Sequence, residues 1–354
     1  MTTVPLSSFS GSYFTSGMPD VTIGMGGTAD RCSVRMVCDD EQIYDEVLWP
    51  ASGVVTLSDL GLLLEPYAQK RLVVSLRIEA QLQDAAGSAI GGRETATARI
   101  LFSRADVGIG AEEFYTGYFL TILQGPRLTA HGRLEYLWYY GQDAATVEAE
   151  YGDGSRLTFE AARSGGSDVY TQLDVSPAHY ERDDRLLVAY TVSAGRRTQR
   201  FDMDLGEPDC APILEFYNSF GVWELIYCTG THKVSPGYRR SATRIGGMMR
   251  NYRIEETRSF EADTGPLTTA MANWADELFR SDMVYVLNVI DGQVASSDGG
   301  KEVVITDSKS DNSNDDGFMP RFTFTYQYAQ RIQNVLQMNR VGRIFDNTFD
   351  HTFN

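Results

Sequence analysis

At 354 residues, with 42% hydrophobic and 22% charged side chains, the chain is long enough for two or three domains with real cores and too apolar to be disordered throughout. A formal net charge of −17 and a pI near 4.7 set its surface against phosphate backbones, so direct nucleic-acid recognition is not expected; Arg196, Arg197 and Arg200, beside a hairpin turn, come nearest to a basic patch. No apolar run approaches the roughly 18 residues that span a bilayer, and the opening MTTVPLSSFSGSYF lacks the basic start and apolar stretch of a secretory signal. No membrane insertion is expected, and the chain is expected to be made and to fold in a cytoplasm.

Short alternating runs bounded by Gly, Asp and Ser recur along the chain, the pattern of a mainly β protein with tight turns. In residues 1–105, VTIGMG, CSVRMVC, RLVVSLRIEAQLQ and TATARILFS read as strands of one β-sandwich module. Between them LSDLGLLLEPY suggests one or two helical turns, halted before Pro66. GMGG, Gly24–Gly27, is not followed by a helix and reads as a turn or bulge.

A second sandwich module is expected over residues 106–206, from the strands GYFLTIL, RLEYLWYY, TVEAEYGDGSRLTFEAA, VYTQLDV and LLVAYTVSAGRRTQRFDMD. Asp-Gly within YGDGS suits a two-residue hairpin because it tolerates positive φ. Tyr136, Trp138 and Tyr140 alternate onto one face of their strand, where they form either part of the sandwich core or a ligand-stacking platform for sugar rings.

Residues 207–340 read as a β-rich α+β domain. ILEFYNSFGVWELIYCTG leads into NYRIEETRSFEADTG, then an amphipathic helix over 266–281, then MVYVLNVI, EVVITD and RFTFTYQYA. Leu267, Met271, Trp274 and Leu278 form one apolar stripe, so the helix should lie across a sheet. Glu-Phe-Tyr occurs at Glu113 and again at Glu215, about one domain length apart, either by chance or as the entry strand of two related modules.

The residues carry no catalytic signature. His131, His179, His232 and His351 are scattered, and Cys32, Cys38, Cys210 and Cys228 lack the spacing of a zinc site or disulfide framework and read as buried apolar groups. Glu112/Glu113 and Glu255/Glu256 are adjacent, so on a strand each pair splits between faces, unlike the carboxylates of a glycosidase. DSKSDNSNDDG, Asp307–Gly317, fails the EF-hand pattern, which needs Gly at the sixth position and Glu at the twelfth, and reads as an acidic hairpin loop. No cofactor, no metal and no enzyme activity is expected.

The chain closes on RIFDNTFDHTFN, with Phe345, Phe349 and Phe353 spaced four apart and Ile344 beside them. That spacing keeps the three rings on one face of a strand, and their burial is worth on the order of 5–8 kcal/mol before the entropy of ordering. The segment 341–354 either folds back on its own domain or docks on another chain as an aromatic arm; the polar lead-in Gln330–Gly342 favours the arm.

This ending resembles those of uncharacterised proteins in phages and prophages of gut Bacteroidales. So does the preceding order: a Tyr-Arg-Ile-Glu-Glu strand, an Ala-Asp-Thr-Gly turn, the Trp274 helix, VVITDSKSDNSNDD and FTFTYQYA. The resemblance covers about the last 150 residues and implies a virion structural protein of the tail or baseplate, localised to the particle, where an acidic lining would let DNA slide without sticking. The leading expectation is a non-enzymatic component that forms a homo-oligomeric ring or stack with other virion proteins. A carbohydrate- or receptor-binding, adhesin-like module is the alternative, and a glycan-active enzyme the third.

Overall fold

The computed structural model describes residues 2–167, 169–206, 208, 210–290, 293–294, 300–311 and 319–329. Strands dominate it, with three α-helices among the described residues, and the fold is mainly β and rich in sandwich-like sheet pairs. The chain divides into two compact units, Met1–Gly117 with Ser219–Gly221, and Tyr118–Asn218 with Val222–Asn354.

In the first unit a five-stranded sheet runs in the order Gly11–Phe14, Glu94–Leu101, Val73–Gln83, Arg31–Cys38, Glu41–Leu48. A three-stranded sheet holds Thr3–Pro5, Asp20–Gly24 and Val54–Leu57. Period-two alternation buries Cys32, Val34 and Met36 on one strand, and Val74, Leu76, Ile78 and Ala80 on its neighbour.

The expected helical stop before Pro66 is corrected: the helix Leu60–Arg71 runs through it. Proline removes the amide that would bond the Leu62 carbonyl, but Leu62 is 70% exposed, so the lost bond falls on the solvent side of the helix, where it costs least. The helix can start only because residue 61 is glycine, since a Cβ there would lie 2.0 Å from the Thr15 carbonyl oxygen.

The second unit opens with a sandwich. Its five-stranded sheet has the order Arg156–Glu160, Ala145–Tyr151, Leu187–Ala194, Arg197–Met203, Arg127–Thr129, and its three-stranded sheet the order Tyr136–Tyr140, Tyr170–Asp174, Ala162–Gly166. Val147, Tyr190, Val192 and Phe201 meet Leu137, Tyr139 and Leu173 in the core. GYFLTIL is not a strand, which corrects the sequence expectation. Its backbone joins no ladder, although Phe119, Leu120 and Leu123 are buried and the Leu120 amide bonds the Trp138 carbonyl at 2.8 Å. The two Glu-Phe-Tyr triplets also part company: Glu113–Tyr115 lies within the helix Ala111–Gly117, and Glu215–Tyr217 within the strand Ile213–Tyr217. The YGDGS turn forms, but only Gly154 takes positive φ (+82°), while the Asp153 carboxylate accepts from the Ser155 amide at 2.8 Å.

A seven-stranded antiparallel sheet follows in the same unit: Trp223–Tyr227, Ile213–Tyr217, Val284–Leu287, Lys301–Asp311, Arg321–Tyr328, Met248–Asp263, His232–Ile245. The helix Thr269–Arg280 is capped by Thr268, whose hydroxyl accepts from the Met271 amide at 3.2 Å. As the stripe requires, Leu267, Met271, Trp274 and Leu278 are all buried against Leu214, Phe216, Ile226, Phe322 and Phe324 of the sheet.

Between sandwich and sheet, this unit buries charge. Arg127 Nε lies 3.1 Å from Glu135 Oε2, Nη1 lies 3.9 Å from Glu224 Oε1, and Nη2 donates to the Leu225 carbonyl. Trp274 Nε1 donates to Glu224 Oε2 at 2.8 Å, Asn218 Nδ2 donates to the same oxygen at 3.2 Å, and the guanidinium stacks 4.6 Å from the Trp274 ring centre. Arg127, Glu135 and Glu224 are 3%, 0% and 4% exposed, so each charge depends on its partners rather than on water. Burial pushes the Glu135 carboxyl above its ordinary range, against the pull of Arg127 and the neighbouring Thr129 hydroxyl. The Arg127 contact is close but not aligned as a hydrogen bond, which fits a carboxyl whose charge is not fully compensated.

Two outcomes follow. Trp274→Ala should lower unfolding stability by about 3–5 kcal/mol, and Trp274→Phe by about 1–3 kcal/mol through the lost Glu224 bond, both read from urea denaturation. Because Glu135 titrates above the unfolded carboxylate range, the folded chain holds a proton that the unfolded chain has released, and stability falls as pH rises through that window. Glu135→Gln should therefore lose less stability than the parent chain as pH rises above the ordinary carboxylate range, about 4.3 for a free glutamate.

Candidate functional site

The segment from His232 to Asp263 alternates small, aromatic and arginine side chains around a central Gly-Gly. Gly246 and Gly247 take φ values of +61° and +85°, so both residues of a two-residue hairpin loop are left-handed, as a tight I′-type turn requires. His232–Ile245 and Met248–Asp263 consequently pair along their full lengths, from His232 opposite Ala262 to Ile245 opposite Met248.

The third strand, Arg321–Tyr328, covers only Ser259–Asp263 of this hairpin. From Pro236 and Arg258 outward, each strand has only the other among the described residues. This two-stranded ribbon is on the order of 30 Å long. Its base is held where the His232 ring stacks on Phe260 and Tyr326, with His232 Nε2 2.8 Å from the Tyr326 hydroxyl.

No second layer covers the ribbon among the described residues, and its apolar side chains are exposed. Tyr238, Ile245, Met248, Met249, Tyr252 and Ile254 are each between 47% and 65% exposed. Isolated surface apolar residues are ordinary, but a group on one projecting element marks an interaction site. Its charge is also opposite to that of the chain: Arg239, Arg240, Arg244, Arg250 and Arg253 lie between Pro236 and Ile254 with no acid among them, in a protein of net charge −17. The Arg240 guanidinium sits 5.1 Å from the Tyr238 ring centre, and Arg253 pairs with Glu255. Arg239, Arg244 and Arg250 form no ion pair among the described residues.

The sequence-derived candidates fall elsewhere. Tyr136, Trp138 and Tyr140 share one strand face, but the sandwich core takes the alternate residues Leu137 and Tyr139. The three are half-buried. Tyr136 packs against Leu134, Ile213, Leu225 and Tyr227, Tyr140 meets Tyr170 edge-on, and the Trp138 indole N–H is buried. They lie outside the sandwich core and are partly covered. Ile344, Phe345, Phe349, Phe353 and the arm 341–354 lie outside the described residues, as does 312–317 of the acidic loop.

Three histidines acquire partners that their scatter concealed. His131 Nδ1 is 2.7 Å from Glu181, His179 Nε2 is 3.1 Å from Asp174, and His232 stacks as described. Cys32, Cys38 and Cys228 are buried and Cys210 half-buried; none of the four is in a disulfide, and burial pushes the Cys38 thiol up to about 11. The carboxylates that do converge, Glu135 and Glu224 on Arg127, are sealed in the interior.

No protein-family model and no curated protein matches the chain. Among solved structures, the plexin A4 extracellular region aligns over 90% of this chain and 38% of its own length, at 8% identity and a TM-score of 0.18. SGBP-B of a Bacteroides ovatus mixed-linkage glucan utilisation locus, solved with a mixed-linkage heptasaccharide, aligns over 88% of this chain and 71% of its own, at 10% identity and a TM-score of 0.18. The chain thus spans well under half of the plexin region, and likeness at this level carries no functional weight.

Because the tip depends on two left-handed glycines, Gly246→Ala with Gly247→Ala costs roughly 1–2 kcal/mol per residue locally. Faster amide exchange should appear across residues 243–250, with the global melting temperature unchanged.

Proposed function

We propose that this chain is a non-enzymatic structural component of a phage tail or related particle, in which copies associate through exposed β edges. The observation that carries the reading is the ribbon Pro236–Arg258. A two-stranded ribbon is marginal in water by itself, and this one displays exposed tyrosine, isoleucine and methionine that no described residue of its own sheet covers. A second surface would supply the missing layer.

Resemblance of the last 150 residues to proteins of Bacteroidales phages and prophages supports the particle, and the ribbon supplies an element suited to assembly. The role of Glu135 and Glu224 is to hold sandwich and sheet together around Arg127, since neither carboxylate reaches solvent. The half-buried packing of Tyr136 argues against the adhesin-like alternative, which needs an open aromatic platform.

Light scattering after size exclusion tests the reading on the full chain and on a variant in which an Asn-Gly turn joins Ser235 to Ser259. The full chain should form a defined oligomer, and the ribbonless variant a monomer with the same melting temperature. A full chain that stays monomeric at every concentration would overturn the proposal. A chain ending at Gly342, run alongside, separates the contribution of the phenylalanine arm.

A further inference from the structure

We infer that the ribbon's outer strand docks on the edge strand Glu41–Leu48 of a second copy of this chain, extending its five-stranded sheet by one antiparallel strand. The inference rests on the assembly reading above and names the two surfaces.

Both strands are sheet edges. His232–Ile245 ends the seven-stranded sheet and Glu41–Leu48 ends the five-stranded one, so alternate amides and carbonyls on each face away from its single neighbour. Pro236 lacks an amide, which leaves Gly237–Ile245, nine residues, as the ribbon's usable edge against eight in Glu41–Leu48. The other terminal strands of the described sheets run two to five residues, and the ribbon's inner strand, residues 248–258, whose outer side is also open among the described residues, carries Glu255 and Glu256 among its arginines.

Charge makes the same selection. Glu41, Asp45 and Glu46 are exposed on the acceptor strand, with Val47 at 37% and Trp49 at 64% exposure just beyond them. One antiparallel register sets Arg239 opposite Glu46 and Arg240 opposite Asp45, and past the bulge at Ile43, where the acceptor strand slips by one residue, it brings Arg244 beside Glu41. The same register sets Tyr238 against Val47 and brings Pro236 beside Trp49. Directly opposed side chains lie on one face of the sheet, so each guanidinium would meet its carboxylate. The donor and acceptor patches differ, so the contact is heterologous; repeated, it closes a ring or propagates a stack.

The test is charge reversal on the full chain, read by sedimentation velocity. Arg239→Glu with Arg240→Glu and Arg244→Glu should weaken self-association at least tenfold. So should Glu41→Arg with Asp45→Arg and Glu46→Arg. Combining all six substitutions in one chain should restore association. The register is checked by mixing differently tagged Ser241→Cys and Tyr44→Cys chains, which should form an oxidative cross-link that Ser241→Cys with Leu48→Cys does not.

If the parent chain associates but the Glu41, Asp45 and Glu46 reversal leaves it unchanged, the acceptor strand is wrong while the assembly reading stands. A parent chain that never associates removes both. Retention of the parent chain on duplex DNA at physiological salt, lost in the arginine reversal and kept in the acidic-strand reversal, would assign the ribbon to nucleic acid and overturn the inference.

Discussion

The second unit turns on one buried cation. Arg127 enters on a three-residue strand of the sandwich, and its guanidinium reaches a carboxylate from the sandwich side, Glu135, together with Glu224 and the Leu225 carbonyl of the seven-stranded sheet. Trp274, from the helix across that sheet, closes the cluster through its ring face and indole N–H. Removing one member of such a group leaves the others charged and dry, which costs about 3–5 kcal/mol, whereas the intact group ties three elements to one geometry. A ribbon rooted in this sheet starts from a fixed base.

That base explains how a ribbon without a hydrophobic face of its own can persist. Its first residues share the core at His232, Phe260 and Tyr326, and only beyond Pro236 does the pairing stand alone. Outward from there the side chains are of types that suit the proposed interface: arginines, whose planar fork matches carboxylates, set among tyrosine and methionine, which can adapt to a partner's shape. Arginine along an edge also restrains indiscriminate pairing with other edges, while leaving acidic edges attractive.

Much of the fold was legible because period-two alternation follows directly from strand geometry. CSVRMVC, RLVVSLRIEAQLQ and LLVAYTVSAGRRTQRF appear as strands, and the Leu267–Leu278 stripe as a helix, since each buries one face. The failures have physical causes. Pro66 reads as a stop, but its lost hydrogen bond falls on the solvent side. GYFLTIL is apolar because it is buried, without being paired. The aromatic stripe at Tyr136, Trp138 and Tyr140 stands out for size, while the core took Leu137 and Tyr139 between them.

Of the candidate interface, the ribbon itself was missed. Pro236 and a run of arginines between Tyr238 and Arg253 break the usual hydrophobic alternation, although Gly246-Gly247 between two long segments was the available hairpin signal. The Arg127 cluster gave none, because its members lie at 127, 135, 224 and 274 and meet only in the fold. The most direct test of ribbon-mediated assembly is hydrogen exchange of residues 236–258 in the intact chain as protein concentration rises. Protection that grows with concentration, while core amides stay unchanged, is the expected result; ribbon exchange that is the same at all concentrations would contradict it.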